Sequence, residues 1–268
     1  MESNLSEGQK PNRVSLDYDI LIMAAGLGKR MKSTIPKPVI PVCGKPMLLH
    51  ILDTISKLSQ LPGNIYVITY YLHSQAVVSA CLDHLPSNLV DRIVWLVQTI
   101  EPMGTGSSVQ EAIKQIPNSS ADSLMILSSD VPMISKNTME SMIEEYNAQK
   151  RALILTDYME NPYGYGRIVE TNGDFLAIVE EKDSNAEQKL IKTVNTGIYC
   201  IPYRYLRNQL FTITNNNAAE EYYLTDLFGI LKQGDLSVGT TQIQKVCSYE
   251  LFNINTKDQL NELEELIS

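Results

Sequence analysis

Apolar residues in the first 160 positions fall into two alternating kinds of segment. Short continuous runs recur at residues 18–25 (YDILIMAA), 64–71 (NIYVITYY), 92–99 (RIVWLVQT), 123–128 (SLMILS) and 151–158 (RALILTDY). Runs of strand length without a polar alternation predict strands buried on both faces. Between them, apolar side chains return every three or four positions. Leu48, Ile51, Leu52, Ile55 and Leu58 form one stripe over residues 47–60, and residues 74–84, 107–115 and 136–149 read the same way. Each predicts an amphipathic helix, and Ser135 stands where the last of them needs an N-cap. Such alternation predicts an α/β fold: a mixed, mostly parallel sheet with helices on both faces and a ligand crevice at the carboxyl ends of the strands.

The pattern changes after residue 158. Residues 166–183 predict a hairpin, RIVET and FLAIVEEKD, around the turn Thr171-Asn172-Gly173-Asp174. A strand is expected at 193–201, helices near 203–211 and 224–232, and a last helix at 257–267. This half is expected to form a substrate lobe that completes the same sheet. Residues 1–17 are polar and aperiodic and predict a loose tail. No internal repeat and no hexapeptide pattern of a β-helix occurs.

Charge narrows the function classes. Across 268 residues, 22 Lys and Arg face 31 Asp and Glu, a net charge of -9. That balance argues against a surface built for nucleic acid or an anionic membrane, so any anion must be bound locally. The cysteines Cys43, Cys81, Cys200 and Cys247 lack CxxC spacing and predict reduced thiols rather than a disulfide framework. No apolar run reaches the roughly 18 residues of a membrane span, and the start of the chain has no apolar leader core. A cytoplasmic protein with no membrane partner is expected; the oligomeric state is left open.

The loop after the first apolar run carries the chemistry. It reads AAGLGKRM over residues 24–31, followed by IPKPVIPVCGKPML over 35–48. Gly26 and Gly28 let a ligand approach the backbone, and Lys29, Arg30, Lys32 and Lys37 place four cations nearby. The arrangement is that of a polyphosphate cradle. A dinucleotide fingerprint would need glycine where Met31 stands, and a P-loop would need a longer loop with a hydroxyl after the lysine. Taken alone, the segment also reads as a basic surface turn.

Further motifs follow in order: Gln98 with Met103-Gly104-Thr105-Gly106, Ser129-Asp130-Val131-Pro132, Gly164-Tyr165-Gly166-Arg167, Val179-Glu180-Glu181-Lys182-Asp183, Asn195-Thr196-Gly197 and Glu221-Tyr222-Tyr223-Leu224-Thr225-Asp226. With the first loop, this series resembles the sugar-1-phosphate nucleotidylyltransferases. It is most similar to the uridylyltransferase half of the bifunctional N-acetylglucosamine-1-phosphate enzyme, over nearly the whole chain from residue 18. The acetyltransferase β-helix of that enzyme has no counterpart in these residues, and acetyl transfer is not expected of them.

The resemblance implies a Rossmann-like nucleotide-diphospho-sugar transferase fold, with a nucleotide-binding half at 18–158 and a sugar-binding half at 159–268. It implies UTP and N-acetylglucosamine-1-phosphate as substrates and UDP-N-acetylglucosamine and pyrophosphate as products. By the same resemblance, Asp130 and Asn255 hold Mg²⁺, while Arg30 and Lys37 neutralise the reacting phosphates. Met23, Ala24, Ala25, Gly26, Ser128 and Ser129 line the nucleotide, Gln98, Gly104 and Thr105 read the base, and Gly166, Glu180 and Asn195 hold the sugar. The implied reaction needs no general base, because a sugar-phosphate oxygen is already ionised near neutral pH; alignment and charge neutralisation suffice.

Plainer readings stand beside these. Asp130 also suits a turn before Val131-Pro132, Asn255 an N-cap of the last helix, the Gln98 to Gly106 stretch a turn at a helix start, and Glu180 a solvated hairpin charge. His50, Tyr199, Tyr203, Tyr205 and Phe211 read as packing or surface residues, and His73, Cys81 and His84 lack a fourth ligand at zinc spacing. Arg30 and Lys37, on a loop, are expected to serve charge rather than packing. At whole-protein level, another sugar-1-phosphate nucleotidylyltransferase, taking UTP or TTP with glucose-1-phosphate, remains an alternative, as does a non-catalytic nucleotide-sugar sensor of the same fold. The chain also departs from the family pattern: Ser129 replaces a usual glycine, Ser128 a tyrosine, and Lys29 a small residue before the motif arginine.

Overall fold

Residues 18–116, 119–234, 236–242 and 249–268 are described by a computed structural model. The expected tail at 1–17 and Cys247 lie outside them. The first half runs β1 (Tyr18–Ala24), a short hairpin β2 (Pro41–Val42) and β3 (Lys45–Pro46), α1 (Met47–Ser56), β4 (Ile65–Tyr70), α2 (Tyr71–Leu82), β5 (Ile93–Gln98), α3 (Thr105–Gln115), β6 (Ser123–Ser128), α4 (Lys136–Gln149) and β7 (Ala152–Tyr158). The second runs β8 (Arg167–Thr171), β9 (Asp174–Val179), β10 (Thr193–Pro202), α5 (Tyr203–Gln209), α6 (Asp226–Gln233), β11 (Val238–Thr241) and α7 (Lys257–Ile267).

The main sheet has the order β11-β7-β10-β6-β1-β4-β5, and β8, with β9, joins it through β10. Strands β6, β1, β4 and β5 are parallel to their neighbours, so their carboxyl ends share one edge. Strand β10 runs antiparallel to both β6 and β7. Its reversal has a functional consequence: β10 begins, rather than ends, at the edge where its parallel neighbours finish. Asn195, near the start of β10, is thereby placed at that edge.

Burial follows from the strand period of two. On β1, Ile20 and Ile22 enter one core with α1, α2 and α4 side chains such as Ile51, Val77 and Met142. Leu21 and Met23 enter the other, with Val109 of α3, Leu206 of α5 and Phe228 of α6. A strand clad on both sides has no polar face to alternate with, which is why these runs read as continuously apolar. A third, smaller cluster joins Met31, Ile40, Val42 and Met47 to Ile254 and Leu263, docking α7 beside the first loop.

Several expected boundaries shift. The stripe over 47–60 ends as a helix at Ser56, where Lys57 caps it; Leu58 remains buried but hangs from a turn to Ile55. Helix α2 starts at Tyr71, directly from β4 and without a side-chain cap, three residues before the expected start. Two strand pairings were not foreseen, the two-residue β2–β3 hairpin and the edge strand β11, each too short to show a period. The 3-10 turn at residues 210–212 finishes the segment read as one helix near 203–211. Among the described residues, no helix is long and apolar enough to cross a membrane.

Candidate active site

A cleft of about 360 Å³ opens over the carboxyl ends of β1, β5 and β6. Its floor and walls include Met23, Ala25, Gly26, Arg30, Lys37, Gly104, Thr105, Ser128, Ser129, Asp130 and Asn255. Eleven of the sixteen residues singled out from sequence therefore meet here, drawn from four separate stretches of chain.

The first loop is shaped by backbone conformations. Gly28 has φ +59°, and a Cβ there would sit 2.9 Å from the Lys37 Cβ. Glycine is needed both for the left-handed turn and for the approach of Lys37. A 3-10 turn over Lys29–Met31 follows, buries Met31 against the α7 cluster and leaves Lys29 and Arg30 at the cleft. Lys37 lies in a second 3-10 turn and is only 9% exposed.

Lys37 is the hub of the charged end. Its Nζ donates to Asp130 Oδ2 at 2.6 Å and to Asn255 Oδ1 at 2.9 Å. Arg30 Nη2 donates to the same Asn255 oxygen at 2.8 Å. Ser128 Oγ donates to the other oxygen of Asp130, so both oxygens of that carboxylate are held. Burial alone would push the Asp130 carboxyl up; the Lys37 ammonium and the hydrogen bonds from Lys37 and Ser128 outweigh it and hold the group below the usual carboxylate range. Lys37 is half of a buried ion pair, whose loss leaves an uncompensated carboxylate, so its charge bears on stability as well.

The last helix explains why Asn255 can reach the cleft. Thr256, not Asn255, is the N-cap of α7, and it forms a capping box with Gln259. The Gln259 side chain also accepts from the Asn255 backbone N–H at 2.8 Å. Asn255 is thereby relieved of capping, and its side chain turns to the cations. The Ile254 N–H donates to the Asp130 carbonyl at 2.9 Å, fixing this segment directly against the β6 loop.

On the opposite wall, the glycines of the MGTG turn fit a neighbouring loop. Gly104 has φ +93°, and a Cβ there would meet the Tyr222 carbonyl at 2.6 Å. Gly106 N–H donates to that carbonyl at 2.7 Å, Tyr222 N–H to the Met103 carbonyl at 2.7 Å, and Leu224 N–H to Thr105 Oγ1 at 3.1 Å. The turn does start a helix, with Gly104 as the N-cap of α3, and it is also docked against the loop that carries Tyr222. Glu221, carried in by the same loop, also lines the cleft, as do Leu27, Pro102 and Ser108, which no candidate role had named.

Five candidates stand away from this lining. Ala24 is buried in β1. Gln98 is fully buried at the end of β5, and among the described residues neither of its amide atoms has a hydrogen-bond partner. Gly166, Glu180 and Asn195 form a group of their own. Asn195 N–H donates to the Gly166 carbonyl at 2.8 Å, and a Cβ on Gly166 would sit 3.4 Å from Glu180 Oε2. Asn195 Nδ2 donates to the Tyr199 hydroxyl at 2.8 Å, and Thr225 Oγ1 donates to Glu180 Oε1 at 2.9 Å.

Glu180 is not a solvated hairpin charge. Burial pushes its carboxyl up, and Asp226, Asp183 and Glu221 add to the shift against the Thr225 hydrogen bond. The neighbouring Glu181 is the one that pairs, with Arg167 Nη2 at 2.6 Å and the Gly164 N–H at 3.1 Å, and so pins the GYGR turn. Two contacts link this group to the charged end. A Cβ on Gly197 would lie 4.0 Å from the Ser128 Cβ, and Tyr165, its phenol pushed up to about 12 by burial, hydrogen-bonds the Asn253 backbone.

Comparison with known proteins agrees with this geometry. Residues 20–192 match the family described as the MobA-like NTP transferase domain. The chain is 39% identical over 246 residues to the bifunctional protein GlmU of Marinobacter nauticus, covering 91% of this chain and 51% of that protein. It is 37% identical over 254 residues to the bifunctional protein GlmU of Clostridioides difficile, covering 94% and 52%. The chain thus spans about half the length of these curated relatives. Among solved structures, one described as a glucose-1-phosphate thymidylyltransferase from Bacillus anthracis superposes with TM-score 0.72 at 18% identity, covering 93% of this chain and 94% of that one. A UDP-glucose pyrophosphorylase bound to UDP-glucose gives TM-score 0.69 at 15% identity, covering 93% and 97%. At such identities these two establish the nucleotide-diphospho-sugar transferase fold.

Proposed function

We propose, from the premise that this chain belongs to the MobA-like NTP transferase family, that it transfers the uridylyl group of UTP to N-acetylglucosamine-1-phosphate. The products are UDP-N-acetylglucosamine and pyrophosphate, and the reaction belongs to the cytoplasm. The observation that carries the reading is the Lys37 ammonium held between Asp130 and Asn255, with Arg30 on the same asparagine oxygen. Nucleotidyl transfer asks for this: cations beside a phosphorus, a carboxylate to recruit a divalent ion, and no proton acceptor for the nucleophile.

The donor set fits magnesium. A carboxylate oxygen and an amide oxygen already converge on one positive centre, and one carboxylate with few protein ligands leaves places for water and phosphate oxygens. Asp130 and Asn255 would hold Mg²⁺, which when bound supplies charge neutralisation at the phosphates. Arg30 grips phosphate oxygens as a fork and Lys37 as a point charge. The backbone of Ala24, Ala25 and Gly26 follows the nucleotide, with Met23, Ser128 and Ser129 beneath it. Ser128 keeps the Asp130 carboxylate turned toward Lys37.

Gln98 is read as a base contact together with Gly104 and Thr105. Its unpartnered amide offers a donor and an acceptor that the protein itself leaves unused. Gly166, Glu180 and Asn195 take the sugar, with the carboxylate accepting hydroxyl or N–H hydrogens. The nucleotide-binding half at 18–158 and the sugar-binding half at 159–268 then share one cleft, since Glu221 and Asn255 come from the second.

Pyrophosphate release by the purified chain, with a panel of UTP, TTP, ATP and GTP against N-acetylglucosamine-1-phosphate and glucose-1-phosphate in Mg²⁺, tests the reading. The expected maximum is UTP with the acetamido sugar. A maximum with glucose-1-phosphate replaces the sugar assignment, and no release with any pair replaces the reaction.

A further inference from the structure

Three cations line the cleft: Lys29, Arg30 and Lys37. Arg30 and Lys37 are bound to Asn255 and Asp130, on the β6 side. Lys29 is placed differently. Its Nζ lies 3.5 Å from Glu101 Oε1, across the mouth, on the loop between β5 and the MGTG turn. The two side chains are 76% and 66% exposed. The pair therefore links the phosphate loop to the opposite wall at its rim, while the tight pair at Lys37 lies at its base.

The physics of the two pairs differs accordingly. A long, solvent-exposed lysine–carboxylate contact is weak and screened by salt, so another anion exchanges with it readily. A triphosphate tail carries several charges and many acceptor oxygens and outcompetes a single carboxylate for a flexible ammonium with three donors. Glu101, in turn, has the same sign as the incoming tail. It holds Lys29 and repels the ligand at once.

We propose that Lys29 is an additional triphosphate-binding residue of this chain, held at the rim by Glu101 and exchanged onto the phosphate tail when the nucleotide enters. The proposal rests on the nucleotidyl-transfer reading and names a residue and a counter-charge which that reading does not require. Lys29 sits in the turn that already directs Arg30 to the cleft, so reaching a ligand takes side-chain rotation and no refolding. Glu101 lowers affinity for any polyanion in two ways, by competing for Lys29 and by its own like charge.

The test is calorimetric titration of the full chain with UTP and, separately, with inorganic tripolyphosphate at low salt. Lys29→Ala is expected to weaken both ligands by about fivefold, the loss of one charge-assisted contact. Glu101→Gln is expected to tighten both by about twofold to threefold, and to lose most of that gain in the Lys29→Ala background, because the two act through one contact. Lys57→Ala, which removes an exposed cation at the end of α1 outside the cleft, is expected to leave binding unchanged. The proposal is overturned if Lys29→Ala binds as the wild type does, if Lys57→Ala weakens binding as much, or if Glu101→Gln helps equally with and without Lys29. Wild-type protein that binds neither UTP nor tripolyphosphate would instead remove the nucleotidyl-transfer premise itself.

Discussion

The charged cleft and the separate group of Gly166, Glu180 and Asn195, the phosphate and sugar ends of the proposed site, are built on opposite principles. At the phosphate end, three charged side chains and one amide from three distant stretches, Arg30 and Lys37, Asp130, and Asn255, bind one another at 2.6 to 2.9 Å. At the sugar end, Gly166, Glu180 and Asn195 meet through backbone hydrogen bonds, a close-packed glycine and one buried carboxylate with a hydroxyl partner. The first end is preorganised by one ion pair, Lys37 with Asp130, and by the Asn255 amide oxygen that accepts from both cations before any ligand arrives. The second is preorganised by chain packing, with its one charge kept under strain by burial. Chemistry on phosphates wants fixed charge, whereas recognition of hydroxyls wants fixed shape, and under the proposed function the two demands fall on separate groups.

Breaking the charged end has the largest expected effect. Lys37→Ala removes the hub, and pyrophosphate release should fall about 10²- to 10³-fold. Because the Lys37 and Asp130 side chains are only 10% and 15% exposed, stability should fall as well, by roughly 3–5 kcal/mol in urea denaturation. Adding Asp130→Asn should recover most of the stability and none of the turnover. Recovery of both would show the pair to be structural.

The sugar end should fail in another currency. Glu180→Gln keeps the shape and removes the charge, so KM for the sugar phosphate is expected to rise about tenfold to a hundredfold with a smaller change in kcat. Acid should separate the two ends in wild type. The Glu180 carboxyl is raised, so as pH falls it protonates above the ordinary carboxylate range; the Asp130 carboxyl is lowered and stays ionised further into acid. KM for the sugar should therefore begin to climb at a higher pH than the one at which kcat collapses, and Glu180→Gln should flatten the first limb. A variant that keeps that limb would exclude Glu180 as its source.

A smaller effect sharpens the boundary of the charged end. Gly28→Ala must place a Cβ at φ +59° and 2.9 Å from Lys37 Cβ. Strain of about 1–2 kcal/mol and a displaced ammonium are expected, with turnover lower by about tenfold and sugar KM unchanged. Equal losses in both constants would mean that the first loop also shapes the sugar end.

The difference between the ends also governs what could be read from the chain. Strands β1, β4, β6 and β7 were visible because burial on both faces makes them mostly apolar, β5 because its run is apolar although it is a half-exposed edge strand, and α4 because Ser135 marks its start; the cap of α7 was read as Asn255 and is Thr256. The antiparallel setting of β10 between β6 and β7 was not visible, since strand order leaves no periodic trace. Cations on a glycine loop offer a phosphate cradle to a reader of the sequence, beside the plainer reading of a basic turn. The partnerships are not legible there: that Lys37 is buried, that Asn255 is freed by Thr256, and that Glu101 opposes Lys29 each depend on segments meeting in space. At the sugar end even the residue types are uninformative, because a glycine, a glutamate and an asparagine acquire meaning only from Gly166 resting against the Glu180 carboxylate.

The capping box at Thr256 and Gln259 has a bearing on how the protein is made. Arg30 and Asn255 meet although 225 positions separate them, so the loop after β1 waits for a turn that is synthesised much later. A nascent chain can make β1, β4, β5 and β6, and the α5 and α6 side chains that close one of its cores, before that turn exists. It cannot present Asn255 until the helix that anchors it has left the exit tunnel. An unfinished chain therefore carries the first loop and Asp130 without the asparagine that joins them.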